Sequence, residues 1–279
     1  MELSIEHQGQ GMPILCLHGH PGTGRCMAVF TDALAPDFQT LAPDLRGYGR
    51  SRAKAPFTME QHLEDLSGLL SQLDPPCLIL GWSLGGILAM ELALKHPEQI
   101  AGLILVGTAA RPAGRHPAIT WQDNMLTGIA GVINWLVPGW SWNISTFGQR
   151  SLFRYLVSRH SAQAYCRIAQ EGTPAFVQTS ALANRALNTA LRQGYNRLEE
   201  LHRIHQPCLM LAAANDVHIT PEASRETAVT LPNCDWVLYD NVAHLMPWEI
   251  GEQICSDIRH WLRRNCFLDA GSTVERKGE

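Results

Sequence analysis

The stretch CLILGWSLGGILAMELALK (77–95) joins an apolar run to a helix-like run through a turn in which glycines flank one serine. A short continuous apolar run is typical of a strand that is buried on both faces. A chain that passes directly from such a strand into a helix must turn sharply, and glycine permits the close approach of strand and helix. The segment therefore predicts a strand–turn–helix unit with Ser83 at the turn.

The same alternation recurs along the chain. Further apolar runs occur at 13–19, 39–45, 102–107, 207–213 and 235–240. Helix-like segments occur at 58–73 and 248–264. This order predicts a mostly parallel, doubly wound α/β sheet. Residues 109–205 show no strand pattern, and we expect a helical insertion there.

These patterns divide the chain into three parts. We expect a core domain of residues 1–108 and 206–266, interrupted by a helical cap at 109–205. The remaining residues, 267–279, are small, polar and aperiodic, so a flexible C-terminal tail is expected.

Composition narrows the choice of partners and location. A net charge of −4 without long runs of Lys or Arg argues against nucleic acid and a membrane surface as partners, and favours a small-molecule substrate. No secretory signal is visible, so a cytoplasmic protein is expected, as a monomer or homodimer. Eight cysteines occur without a C-x-x-C pair or metal-ligand spacing. We therefore expect reduced cysteines, no metal and no cofactor.

Ser83 lies in a G-x-S-x-G pattern between a strand and a helix, the context in which a serine becomes an exposed nucleophile. Its hydroxyl would stand above the sheet edge, and the N–H of Leu84 would face an incoming carbonyl at the helix N-terminus. The alternative is that Gly-Ser-Gly only forms a turn or a helix cap.

A serine nucleophile needs a histidine base and a carboxylate that orients the base. His244 follows the last predicted strand, whereas His62, His96, His202 and His260 lie on helix-like segments. Asp216 follows a buried strand and would reach the same sheet edge. The alternatives are a loop-capping role for Asp216, and a loop role for His218 two residues further on.

The second N–H of an oxyanion hole is expected from His20, in the Gly- and Pro-rich bend LHGHPG after the first buried strand. Tryptophans beside the serine and in the insertion suggest an apolar pocket, with simple core packing as the alternative. The candidates for this pocket are Trp82, Trp121, Trp135, Trp140 and Trp142.

Five motifs appear in the order found in the α/β-hydrolase superfamily, which the chain resembles. They are HGHPG, DLRGYGRS at 44–51, GWSLGG at 81–86, ANDVHITP at 214–221 and VAH at 242–244. The resemblance implies a sheet of about eight strands with a cap inserted at 109–205. It also implies the triad Ser83, Asp216 and His244, in family order. Related dehalogenases and epoxide hydrolases use an aspartate nucleophile, so a serine here implies an acyl-enzyme instead.

The expected activity is hydrolysis of a small or medium, largely apolar carboxylic ester, thioester or lactone. Carbon–carbon bond hydrolases share this triad and are the alternative within the enzymes. Some ligand-sensing receptors also resemble this fold and are the alternative from a different class.

Overall fold

A computed structural model describes residues 1–268. Residues 269–279, most of the predicted tail, lie outside the described residues. The strands are β1 Ile5–Gln8, β2 Pro13–Leu17, β3 Gln39–Pro43, β4 Cys77–Trp82, β5 Ile100–Val106, β6 Cys208–Ala213 and β7 Cys234–Tyr239. The helices are α1 Ala28–Leu34, α2 Met59–Leu70, α3 Leu84–Lys95, α4 Trp121–Leu136, α5 Ser141–Thr146, α6 Phe153–Leu156, α7 Ala162–Arg167, α8 Thr173–Gln178, α9 Ala181–Arg192, α10 Pro221–Thr230, α11 Met246–Glu249 and α12 Gly251–Arg264.

The strands form one sheet in the order β1-β3-β2-β4-β5-β6-β7. Among the described residues only β1 runs antiparallel, along β3, so the predicted mostly parallel sheet is confirmed. Residues 1–268 contain seven strands, where about eight were expected. Sequence patterning missed β1, because an edge strand with the half-exposed sequence IEHQ contains no apolar run.

Side chains of the central strands alternate between two apolar layers. Leu80 packs in one layer with Phe30 of α1 and Ile258 of α12. Ile79, on the opposite face, packs with the helices α2, α3 and α10. Each fully buried side chain of this size contributes about 1.5–3 kcal/mol, so a sheet covered on both faces accounts for the continuous apolar runs.

All secondary structure between β5 and β6 is helical. Helices α4 to α9 are joined by short 3₁₀ and π turns, and buried Tyr165 lies in their core. Buried Asn134 ties the segment together, since its amide donates to the carbonyl of Tyr165 and accepts from the N–H of Gly139. Among the residues described, none of the helices is both long and apolar enough to cross a bilayer.

Candidate active site

Ser83 stands at the junction of β4 and α3 with φ 54° and ψ −114°. This backbone conformation is costly for a residue with a side chain and requires support from its surroundings. The flanking glycines allow it. A Cβ at Gly81 would overlap the carbonyl of Gly85, and a Cβ at Gly85 would overlap the carbonyl of Leu17. The sharp turn expected from the sequence is therefore present, with the serine at its tip.

The structure brings Ser83, His244 and Asp216 together. Ser83 Oγ lies 3.1 Å from His244 Nε2, and His244 Nδ1 lies 2.7 Å from Asp216 Oδ2. The three residues follow the carboxyl ends of β4, β6 and β7, which meet at one edge of the parallel sheet. With the Nδ1 proton donated to the carboxylate, Nε2 is free to accept the serine proton.

Asp216 is only 3% exposed, and every hydrogen bond it makes favours the carboxylate. Its Oδ1 accepts the N–H groups of His218 at 2.8 Å and Ile219 at 3.0 Å. Burial raises the pKa of Asp216, but His244 and the two N–H donors outweigh burial, so the pKa lies below its usual value. Asp216 is therefore ionised at neutral pH.

The loop that carries His244 is held from behind by Glu249, which sequence analysis missed. The buried carboxylate of Glu249 accepts the N–H of Ala243 at 2.8 Å. Its other oxygen accepts the N–H groups of Ser158 and Arg159, in the helical segment between β5 and β6. The only signal in the sequence is an acidic residue beside the apolar stretch LMPW, and its long-range partners cannot be read from that.

The loop after β2 closes on Ser83 from the opposite side. A Cβ at Gly19 would lie 3.2 Å from Ser83 Cβ and 3.3 Å from the carbonyl oxygen of Trp82, so only glycine fits without pressure. Buried His18 braces the loop, because Nδ1 donates to Gly19 O at 2.7 Å and Nε2 accepts the Leu45 N–H at 3.1 Å. Burial lowers the pKa of His18 to about 4, which keeps it neutral.

The expected oxyanion residues lie beside the serine. Leu84 is the first residue of α3, whose first-turn N–H groups have no acceptor within the helix. His20 follows Gly19 directly, and its imidazole Nδ1 bonds the hydroxyl of Tyr48 at 2.8 Å. This contact fixes the loop at the residue whose N–H was predicted to bind the oxyanion.

Ser83 opens into a cavity of about 500 Å³. Its apolar wall consists of Leu84, Ile87, Leu187, Leu191 and Ile219, and its polar groups include His20, His218 and Arg111. A smaller cavity of about 110 Å³ shares four of these apolar residues and continues between α3 and α9. Burial and the neighbouring His244 lower the pKa of His218 to about 4, so this second histidine in the cavity is neutral.

None of the five tryptophans expected at the pocket is among the described residues that line the cavity. Trp82 is 4% exposed and packs edge-on against Trp248, with ring centroids 5.3 Å apart. The side chain preceding the serine points into the core because neighbours alternate across the end of the strand. The other four, Trp121, Trp135, Trp140 and Trp142, are 45–70% exposed on the outside of the insertion.

Comparisons with known proteins identify the family of the chain. The family model described as "Serine aminopeptidase, S33" matches residues 12–250. A proline iminopeptidase, PfmaB, from Pestalotiopsis fici is 26% identical over 272 residues, which cover 90% of this chain and 92% of that protein. A pimeloyl-(acyl-carrier protein) methyl ester esterase from Nitrosospira multiformis is 26% identical over 252 residues, covering 88% and 92%.

A solved structure of a thermophilic esterase from Thermogutta terrifontis is 28% identical and superposes with a TM-score of 0.67. The match covers 94% of this chain and 93% of that one. Sheet order, strand–serine–helix turn and family match all lead to one assignment. The chain is an enzyme of the α/β-hydrolase superfamily and belongs to its serine aminopeptidase S33 family.

Proposed function

We propose that this enzyme hydrolyses small or medium carboxylic esters, including thioesters and lactones, through an acyl-enzyme on Ser83. The observation that carries the proposal is the continuous hydrogen-bonded line from Ser83 Oγ through His244 to Asp216 at the floor of an apolar cavity. A serine on a strained turn with an imidazole nitrogen 3.1 Å from its hydroxyl has the geometry of an activated nucleophile.

In the proposed cycle, His244 takes the proton of Ser83 as Oγ attacks the ester carbonyl. Asp216 stabilises the imidazolium that forms, and the N–H groups of Leu84 and His20 receive the developing oxyanion. His244 then donates the proton to the leaving alkoxide, which departs as the alcohol. Water, activated by the same imidazole, releases the carboxylic acid and regenerates the serine.

The walls of the cavity support an apolar acyl group. Leu187 and Leu191 of α9 face Leu84 and Ile87 of α3, and the same four residues border the smaller cavity. We propose that the acyl chain lies between α3 and α9. We also propose that residues 109–205 act as a cap, since α9 supplies one side of this wall.

The cavity favours an ester over a peptide with a free amino terminus. An α-ammonium group is held by carboxylates, and the described residues that line the Ser83 cavity include no Asp or Glu. The charged side chain there is Arg111, which pairs with Glu226 at 2.6 Å on the outside. Glu60 and Glu91 border the smaller cavity, but Glu60 pairs with Lys95 and Glu91 pairs with Arg197. Aminopeptidase activity, in the name of the family and of one relative, therefore has no unpaired carboxylate to bind its ammonium group among the described residues of either cavity.

Turnover of p-nitrophenyl esters of increasing chain length tests the proposal. Ser83→Ala should reduce kcat at least about 10⁴-fold, because the covalent step is lost. A fluorophosphonate should label the wild-type protein at Ser83 and leave the variant unlabelled. Ser83→Ala with undiminished turnover would remove Ser83 from its role.

Two further substrates separate the alternatives. Cleavage of a vinylogous diketone without ester turnover would indicate a carbon–carbon bond hydrolase, and faster turnover of proline p-nitroanilide would indicate an aminopeptidase. A single slow turnover would indicate a sensor. A cytoplasmic location and a monomeric or homodimeric state stay predictions.

A further inference from the structure

The outer side of the insertion carries a surface of exposed apolar side chains, here called the α4 surface. Their exposed fractions range from 37% to 70%. The α4 surface consists of Ile119, Trp121, Met125, Ile129, Val132, Trp135, Leu136, Val137, Trp140 and Trp142. Six of these residues lie on one helix, α4, and an exposed apolar helix face marks a site of interaction with another apolar surface.

Two polar residues of α4, Asp123 and Asn134, lie on its inner face. Asp123, Ala130 and Asn134 are buried, and the apolar residues point outwards. Asp123 bonds Arg154 at 2.8 Å, and Asn134 bonds the backbone at Tyr165. These anchors fix the orientation of α4, so the apolar face cannot turn inwards without breaking them.

The α4 surface carries no charge. Between Arg115 and Arg150 the sequence contains a single charged residue, Asp123, which is buried beside Arg154. Arg150 packs next to α4, is exposed, and has no ion pair with any part of the chain that the structure describes. The nearest available charge at the edge of the surface is therefore positive.

The charge of the whole chain is strongly polarised. Residues 109–205 contain ten arginines and four carboxylates, whereas the rest contains 12 Lys or Arg and 22 Asp or Glu. The net charge of −4 is the sum of a positive insertion and a negative remainder of the chain. The expectation of no membrane contact relied on that total.

We propose that the α4 surface docks the enzyme on an anionic phospholipid bilayer. Three features favour a lipid surface. Tryptophans lie near both ends of α4, in the turn that follows and in α5, and indole rings prefer the boundary between headgroups and hydrocarbon. Six of its ten residues lie along the outward face of one helix, and a convex face of this kind suits a fluid layer. An anionic membrane would attract the insertion and repel the core, which orients the protein.

A second copy of the chain fits this surface less well. A two-fold contact places the same patch against itself, so the positive insertion would face its own copy. Three of the four carboxylates of the insertion are already paired within it, namely Asp123, Glu171 and Glu200. They are not available to neutralise arginines across such an interface.

Vesicle binding without substrate tests the proposal independently of the reaction. The full-length protein is sedimented with phosphatidylcholine vesicles that contain or lack phosphatidylglycerol. We expect binding to the anionic vesicles, a blue shift of tryptophan emission, and weakening by added salt. Val132→Glu, which places a charge in the centre of the surface, should lower the partition coefficient at least about tenfold.

Val229→Glu is the matched control, because Val229 is equally an exposed valine on a helix, at 70% against 60% for Val132, but lies on α10 of the core. Circular dichroism and thermal unfolding confirm that both variants fold. Absence of vesicle binding, or equal loss in both variants, would overturn the proposal. So would a wild-type dimer in analytical ultracentrifugation that Val132→Glu converts to monomer.

Discussion

Asp216→Asn should nearly abolish turnover by reversing the tautomer of His244. Asp216 Oδ1 accepts two backbone N–H groups, from His218 at 2.8 Å and Ile219 at 3.0 Å. The amide oxygen of Asn must stay there, because an NH₂ group would face both donors. The NH₂ then faces His244 Nδ1, where Oδ2 now lies at 2.7 Å. When Nδ1 faces a donor it must accept a hydrogen bond, so the imidazole carries its proton on Nε2, next to Ser83.

A protonated Nε2 cannot accept the serine proton, so the general base is lost while the geometry stays. The expected fall in kcat is about 10⁴-fold, or about 5 kcal/mol of transition-state stabilisation. KM should change little, since Asp216 lies behind His244. The assay is steady-state hydrolysis of p-nitrophenyl butyrate, with the exposed Asp240→Asn as an isosteric control. A kcat above a tenth of the wild-type value in Asp216→Asn would refute the reasoning.

Three further predictions concern the surroundings of the site. Gly19→Ala should lower kcat about ten- to hundredfold in the same assay, because its Cβ would lie only 3.2 Å from Ser83 Cβ and displace the serine. An unchanged kcat would mean that the loop moves aside without displacing Ser83. Glu249→Gln should lower both the melting temperature and kcat, because an amide cannot accept the N–H groups on both of its sides. The N–H left without a partner costs about 1–3 kcal/mol. Exposed Glu252→Gln is the control, and equal effects of the two substitutions would contradict the positioning role. Asp123→Asn should lower the melting temperature at neutral pH but not at pH 2. The Thr120 N–H and Arg154 lower the folded-state pKa of Asp123 to about 2, so its stabilisation exists above the unfolded pKa of about 3.9 and disappears as pH falls through 2; a constant difference from pH 6 to 2 would disprove this.

The three residues of the proposed triad could be selected from the sequence because their positions follow from the order of the strands. Ser83, Asp216 and His244 each follow an apolar run, and parallel strands bring such positions to one edge. A run such as CLIL can be recognised without knowing its neighbours. The conformation of Ser83 likewise follows from adjacent residues, since the glycines that permit it lie two positions away on either side.

Other features of the site depend on contacts across long separations in the chain. Glu249 bonds residues 158 and 159, about ninety positions away. No local pattern distinguishes such a carboxylate from a solvated one. The cavity walls come from α3 and α9, and which face of α9 turns towards Ser83 depends on how the whole insertion packs on the core.

The tryptophans of the insertion show why apolar residues are not reliable guides to a pocket. A helix in a globular protein is expected to turn its apolar stripe inwards. In α4 the buried face is instead fixed by Asp123 and Asn134, each of which satisfies hydrogen-bonding groups that no apolar residue could satisfy. If α4 turned its apolar face inwards, the carbonyl of Tyr165 and the N–H of Gly139 would lose the partner that Asn134 provides. The polar residues therefore decide the orientation of α4, and its apolar face is left for a partner outside the chain.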